Sequence, residues 1–160
     1  MIKARKFVAG DATAVAQLVA TTLRTTNRKD YSAAYIEHDI QQMDAAFFKQ
    51  KAQQTHFYVF TDAARIIGTG AIGSYWGSQT EYSLFDIFVH PEYQGHGIGR
   101  QIIATLEADD YFQQAMRIEI PASITALGFY QKMGYQFKAG MAEVDAEQLY
   151  RLEKYPDHRF

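Results

Sequence analysis

The 160-residue sequence contains no cysteine. Disulfides, thiolate metal sites and a cysteine nucleophile are therefore excluded. The same absence fits a reducing compartment, and a cytoplasmic protein is expected. Proline is scarce, with three residues, and no Pro-rich or Gly/Ser-rich linker, internal repeat or low-complexity tract interrupts the chain, so a single domain over residues 1–160 is expected. No apolar run reaches the roughly 18 residues of a membrane span. The basic start, Met1 to Phe7, resembles the n-region of a signal peptide, but Gly10 and Asp11 break the apolar run that would have to follow. An excess of charge of one sign is also lacking. Sixteen Lys and Arg stand against 18 Asp and Glu, a net charge of -2. Neither nucleic acid nor an anionic membrane is expected as the main partner. His and acidic residues show no metal-ligand spacing, so no metal is expected.

What is present is enough to bury a core without staples: 48% of residues are hydrophobic. Eleven Tyr and eleven Phe read mainly as core packing with hydroxyls reaching water. A first strand is predicted over about Ile2 to Val8. Asp11 is then a candidate N-cap, and Val15, Leu18, Val19, Thr22 and Leu23 follow at helical spacing. A second helix starts near Ser32, with Ile36, Ile40, Met43 and Phe47 along one face. Three strands follow, at Thr55 to Thr61, Ile66 to Trp76 and Tyr82 to His90, joined by short turns as an antiparallel meander. A helix begins inside the glycine turn and carries Ile98, Ile102 and Leu106. Arg117 to Ile120 is a short strand. Ser123 to Met133 is a helix closed by Gly134 as a left-handed cap. Tyr135 to Lys138 and Leu149 to Tyr155 form a last hairpin across an acidic segment. This order predicts an α/β fold with a mixed, mostly antiparallel sheet and helices on both faces.

The unit Phe85 to Leu106, strand then turn then helix, is the most informative. Gln94-Gly95-His96-Gly97-Ile98-Gly99-Arg100 places three alternate glycines where a helix starts. Free N–H groups and a partial positive charge meet there, which suits phosphate oxygens. The glycines let the backbone approach a bulky diphosphate and visit positive φ, and Arg100 adds a full charge. The dinucleotide fingerprint does not fit, because its last glycine position falls on Arg100 or Ile102, and the Walker loop lacks its Lys and Ser/Thr.

Ile87 to Arg100 resembles motif A of the GNAT superfamily of acyl-CoA-dependent N-acyltransferases, with Gln94, Gly97 and Gly99 matching its Q/R-x-x-G-x-G/A pattern. Ser123, Ala126, Phe129, Tyr130, Lys132, Gly134 and Tyr135 resemble a second family pattern downstream. The resemblance covers about Tyr82 to Phe137. It implies a splay between the fourth and fifth strands, with the pantetheine arm of acetyl-CoA lying in the gap beside the backbone of Ile87, Phe88 and Val89. It implies a diphosphate held by Gln94, Gly95, His96, Gly97, Ile98, Gly99 and Arg100, and further coenzyme contacts at Ser123, Ala126 and Tyr130. The implied reaction is direct attack of a primary amine, from a small molecule or a peptide, on the thioester. Tyr130 matches the family's general-acid tyrosine. The family's acid on the motif A strand falls on Phe85 here, so the base is left among Asp86 and Glu119, with Glu81 and His90 behind them. Arg24, Arg28, Tyr31, Tyr35, Glu37, His38 and Asp39 are the expected acceptor-side residues. A homodimer is expected by the same resemblance. Two other readings stay open at this point: a catalytically silent acyl-CoA-binding module, and an unrelated binder of phosphate ligands.

Overall fold

The computed structural model describes residues 1–156. Seven strands form one sheet in the order β1-β2-β3-β4-β5-β7-β6. They are β1 (Ile2–Lys6), β2 (His56–Asp62), β3 (Arg65–Ser74), β4 (Glu81–Val89), β5 (Arg117–Ser123), β6 (Gln136–Phe137) and β7 (Leu149–Lys154). The helices are α1 (Ala12–Thr26), α2 (Ala33–Gln42), α3 (Ala45–Gln54), α4 (Ile98–Glu107), α5 (Asp110–Gln114) and α6 (Leu127–Lys132). All neighbours pair antiparallel except β4 and β5, which are parallel. The predicted meander, the final hairpin and the mixed sheet are all present.

Side chains alternate across the sheet as the strand period requires. Phe57 and Val59 enter one core, with Val15, Val19, Leu23, Ile36 and Phe48 of the first three helices. Tyr58 and Phe60 enter the other, with Ile98, Ile102 and Leu106 of α4. The helices therefore cover both faces. Close approach of α4 depends on Gly70 of β3, where a Cβ would stand 2.6 Å from Ile102.

Three expectations change. The single helix from Ser32 is two helices. The chain breaks at Met43 (φ −97°, ψ 57°), and Asp44 caps α3 by accepting from the Phe47 amide at 2.8 Å, as Ser32 caps α2. Asp11 does not cap α1. Its carboxylate accepts from the Val8 amide at 2.8 Å and pairs with Arg5. The short α5, capped by Asp109 through the Tyr111 amide, was not foreseen. Gly134 does close α6: with φ +96°, it lets Tyr135 N–H reach the Tyr130 carbonyl and Gly134 N–H the Gln131 carbonyl, both at 3.1 Å.

Candidate active site

The parallel pairing of β4 with β5 is short. Glu81, Tyr82 and Ser83 match Arg117, Ile118 and Glu119, and pairing stops there. The Ser83 hydroxyl ties the fork, donating to the Glu119 carbonyl at 3.0 Å. Two features open it. Pro121 of β5 has no N–H to offer, while the strand itself continues past it to Ser123 through pairing with β7. On β4, an extra residue breaks the match with β3: Ala71 opposes Phe85, but Thr69 opposes Phe88. Asp86 sits in this bulge with φ +53°, a left-handed conformation that Asp tolerates better than most residues. The bulge reverses side-chain parity, so Phe85 and Phe88 face the α1–α3 core and Leu84, Ile87 and Val89 face the α4 core.

A cleft of about 870 Å³ passes through the fork and is lined from both faces. On the α4 side it meets Gln94, Gly95, Gly97, Ile98, Gly99 and Arg100, with Ser123, Ala126, Phe129, Tyr130 and Lys132. The backbone of Ile87, Phe88 and Val89 runs along its wall. On the other side it meets Thr22, Tyr31, Tyr35, Asp39 and Met43, with Glu147 and Leu149.

The glycine turn divides its labour. Gly95 and Gly97 have φ of +79° and +77°, which glycine adopts freely. Gly99 is helical, and its missing Cβ makes room for the Phe129 ring, 2.9 Å away; it serves packing of α6 on α4 and not backbone strain. The Gly97 carbonyl accepts the first helical bond, from Gln101 at 3.2 Å. Among the described residues, the amides of residues 95–100 reach no protein acceptor. Unpaired amides at the N-terminus of α4 suit a negatively charged group. Gln94, though exposed, folds back on β4, its side-chain amide donating to the Val89 carbonyl at 3.0 Å. His96 is exposed and does not line the cleft. Ser123 caps the turn before α6, accepting from the Ala126 amide at 3.1 Å.

Tyr130 is buried at the cleft wall beside Phe129 and Tyr135. Burial holds its pKa above the ordinary tyrosine value, so it is a phenol at neutral pH and a standing O–H donor. Asp86 also lines the cleft. Its Oδ2 is buried with no hydrogen-bond partner. Burial pushes its pKa up to about 6, against a smaller lowering by the Lys51 ammonium. Lys51, on α3, rests 3.7 Å from the centre of the Phe85 ring. Glu119 is not brought to the cleft. Its carboxylate is taken up by Arg117 at 3.0 Å, Lys138 at 2.9 Å and, more loosely, Arg151 at 3.8 Å, because strand alternation turns it away from the α4 core that takes Ile118 and Ile120. Glu81 is paired with Arg117 in the same cluster. His90 is engaged by Arg65 and by the Glu92 amide.

Of the expected acceptor-side residues, Tyr31, Tyr35 and Asp39 line the cleft. Arg24 and Glu37 instead pair with each other at the exposed surface, at 2.7 and 2.9 Å, and Arg28 and His38 are exposed. The sequence reading missed the wall formed by residues 145–149. Asp145 accepts from the amides of Glu147 and Leu149, a turn that an Asp at this position can signal. Tyr35 and Tyr31 then hold the wall, donating to the carbonyls of Glu147 at 2.6 Å and Gln148 at 2.8 Å.

Residues 53–137 match the acetyltransferase (GNAT) domain family. No curated protein matches the chain in sequence. Among solved structures, the PaiA N-acetyltransferase of Thermoplasma acidophilum, in complex with coenzyme A, superimposes with a TM-score of 0.84 at 17% identity, over 98% of this chain and 99% of its own. A GCN5-related N-acetyltransferase of Rhodopseudomonas palustris gives 0.79 at 21% identity, over 96% and 95%. A GNAT family acetyltransferase of Brucella melitensis, in complex with acetyl-CoA, gives 0.64 at 19%, over 98% and 90%. At these identities the likeness is one of fold.

Proposed function

The chain belongs to the GNAT acetyltransferase family and is an acyltransferase, and from that premise we propose that it moves an acetyl group from acetyl-CoA to the primary amine of a small molecule or peptide, by direct attack. The observation that carries this reading is the through-sheet cleft: unpaired amides at one mouth, an unpartnered carboxyl in the middle, and a second mouth open to an acceptor. Two structural neighbours are complexes with coenzyme A or acetyl-CoA, which supports the choice of donor. Its diphosphate sits on residues 95–100, beside Arg100. Its pantetheine arm takes the place of the missing strand partner along Ile87, Phe88 and Val89. A backbone N–H near Val89 polarises the thioester carbonyl.

Two protons must move. An alkylammonium has a pKa near ~10.4 and must become an amine before it can attack. Asp86 accepts that proton, directly or through one water, and its pKa of about 6 leaves it ionised at neutral pH. The amine lone pair then adds to the carbonyl carbon, the C–S bond breaks, and the departing thiolate accepts a hydrogen bond or proton from Tyr130. Burial makes Tyr130 a weak acid, so its first contribution is hydrogen bonding to the sulfur as charge develops. Asp86, lining the cleft with a raised pKa, supports a transferase over a catalytically silent module.

The test is thiol release from acetyl-CoA across a panel of primary amines. Tyr130→Phe is expected to lower kcat by about 10²-fold with coenzyme binding, measured by calorimetry, within a factor of a few. An unchanged kcat removes Tyr130 from the reaction. Failure of every amine despite tight coenzyme binding contradicts the transferase reading.

A further inference from the structure

Charge along the cleft is segregated. The two cations that line it, Arg100 and Lys132, belong to α4 and α6 at the coenzyme mouth. The three carboxylates that line it, Asp39, Asp86 and Glu147, lie from the fork outward to the other mouth, where no Lys or Arg lines the wall among the described residues. The Asp39 carbonyl accepts from the Met43 amide at 3.0 Å, but the carboxylate makes no hydrogen bond or ion pair among the described residues. Its pKa is raised, first by burial and then by the nearby Glu147 charge, with only exposed His38 acting the other way. Glu147 sits at the rim, 72% exposed and 3.4 Å from Arg151. Tyr35 stacks on Tyr31 with ring centres 4.6 Å apart, so an aromatic face stands beside the acids. The same side of the cleft carries apolar lining from Leu23, Ile36, Met43, Phe85 and Phe88, beside the polar Thr22, Thr26 and Asn27.

Asp86 at the fork has a buried carboxyl oxygen without a hydrogen-bond partner, and Asp39 nearer the mouth is a second, part-buried carboxyl without one, so a monoamine can meet only one of the two. On the acetyltransferase reading above, we propose that the acceptor is a small aliphatic diamine or polyamine. One nitrogen is deprotonated beside Asp86 and attacks the thioester. The methylene chain lies along Leu23, Ile36 and Met43. The second nitrogen remains an ammonium and is held by Asp39, with Glu147 at the rim and the Tyr35 ring beside it. Asp39 is thus a specificity residue that touches the substrate without moving a proton.

The experiment compares initial rates of thiol release for diaminobutane and diaminopentane with butylamine, pentylamine and aminopentanoate, under saturating acetyl-CoA. The diamines are expected to exceed the matched monoamines in kcat/KM by about 10- to 100-fold, the factor expected for one charge-assisted contact, and the amino acid is expected to be poorest. Asp39→Asn should remove most of that preference by raising KM for diamines, with kcat for them and both constants for monoamines little changed. Equal kcat/KM for diamines and monoamines overturns the proposal. So does an Asp39→Asn loss that is the same for both classes, which would mark a structural role. Turnover of monoamines with no diamine preference leaves the transferase reading standing; no turnover of any amine overturns both.

Discussion

Asp86 brings together three properties seldom found at one position: a left-handed backbone, a buried carboxyl oxygen without a partner, and a place at a strand fork. Its pKa of about 6 lies above the ordinary carboxylate value, so the folded state binds more protons than the unfolded chain between those two pH values. This contribution to stability is present at low pH and is lost as pH rises to about 6. At pH 8 the ionised group is therefore a liability to stability. Asp86→Asn keeps a residue that accepts positive φ and removes the buried charge. It is expected to raise the melting temperature at pH 8 while lowering turnover about 10²-fold or more. A loss of both would mean that Asp86 serves the fold. Lys51 offers a second test. Its ammonium lowers the Asp86 pKa, so Lys51→Met should move the midpoint of the pH–rate profile above about 6, and Lys51→Arg should restore it. At this scale the lining of the cleft was partly legible from sequence: Gln94, Gly95, Gly97 and Tyr130 all line it, and their places follow from backbone shape and chain order, which a motif preserves. Choosing between Asp86 and Glu119 was not possible. Both are lone acids on strands, and only the bulge at 86 and the cations around 119 separate them.

At the scale of elements, α4 and α6 are joined by one close contact. Gly99→Ala would place a methyl 2.9 Å from the Phe129 ring and is expected to cost about 1–3 kcal/mol in chemical denaturation, as overpacking does. Phe129→Leu in the same chain should recover part of that loss, since a smaller side chain vacates the space. Additive losses in the double variant would contradict a direct contact. The same scale shows why helix 32–47 was misread. Ile36, Ile40, Met43 and Phe47 all join the α1–α3 core, so their spacing reported a shared buried face correctly. Two helices can serve one face, and the break lay in the caps Ser32 and Asp44. The 145–149 wall escaped for a related reason. It has no periodicity; its local turn is set by Asp145, and the tertiary bonds from Tyr31 and Tyr35 place that turn at the cleft.

For the whole molecule, the sheet works as two pieces that meet at Ser83 and Glu119 and then part. The antiparallel β1–β4 unit carries α1–α3 and the cleft wall with Tyr31, Tyr35 and Asp39; β5–β7 carries α6, the 145–149 wall and the lining from Ser123 to Lys132. A coenzyme bridging the fork would bind the folded state alone. At 100 times its Kd it should add about 2.7 kcal/mol of stability, a rise of about 5–10 °C in melting temperature for a domain of this size. The overall order of elements was legible because strands and helices here differ clearly in hydrophobic period. The splay between the fourth and fifth strands was implied by the motif resemblance; the bulge at Asp86 and the wall at residues 145–149 that complete the cleft were not, since they depend on residues distant in sequence. The most direct measurement is a titration of the isotopically labelled protein with coenzyme A, followed amide by amide in solution. The account predicts large changes at residues 95–100 and 87–89, with the Arg117 ion-pair cluster unmoved. Amides at 95–100 that stay unchanged at millimolar coenzyme A, or changes centred elsewhere, would contradict it.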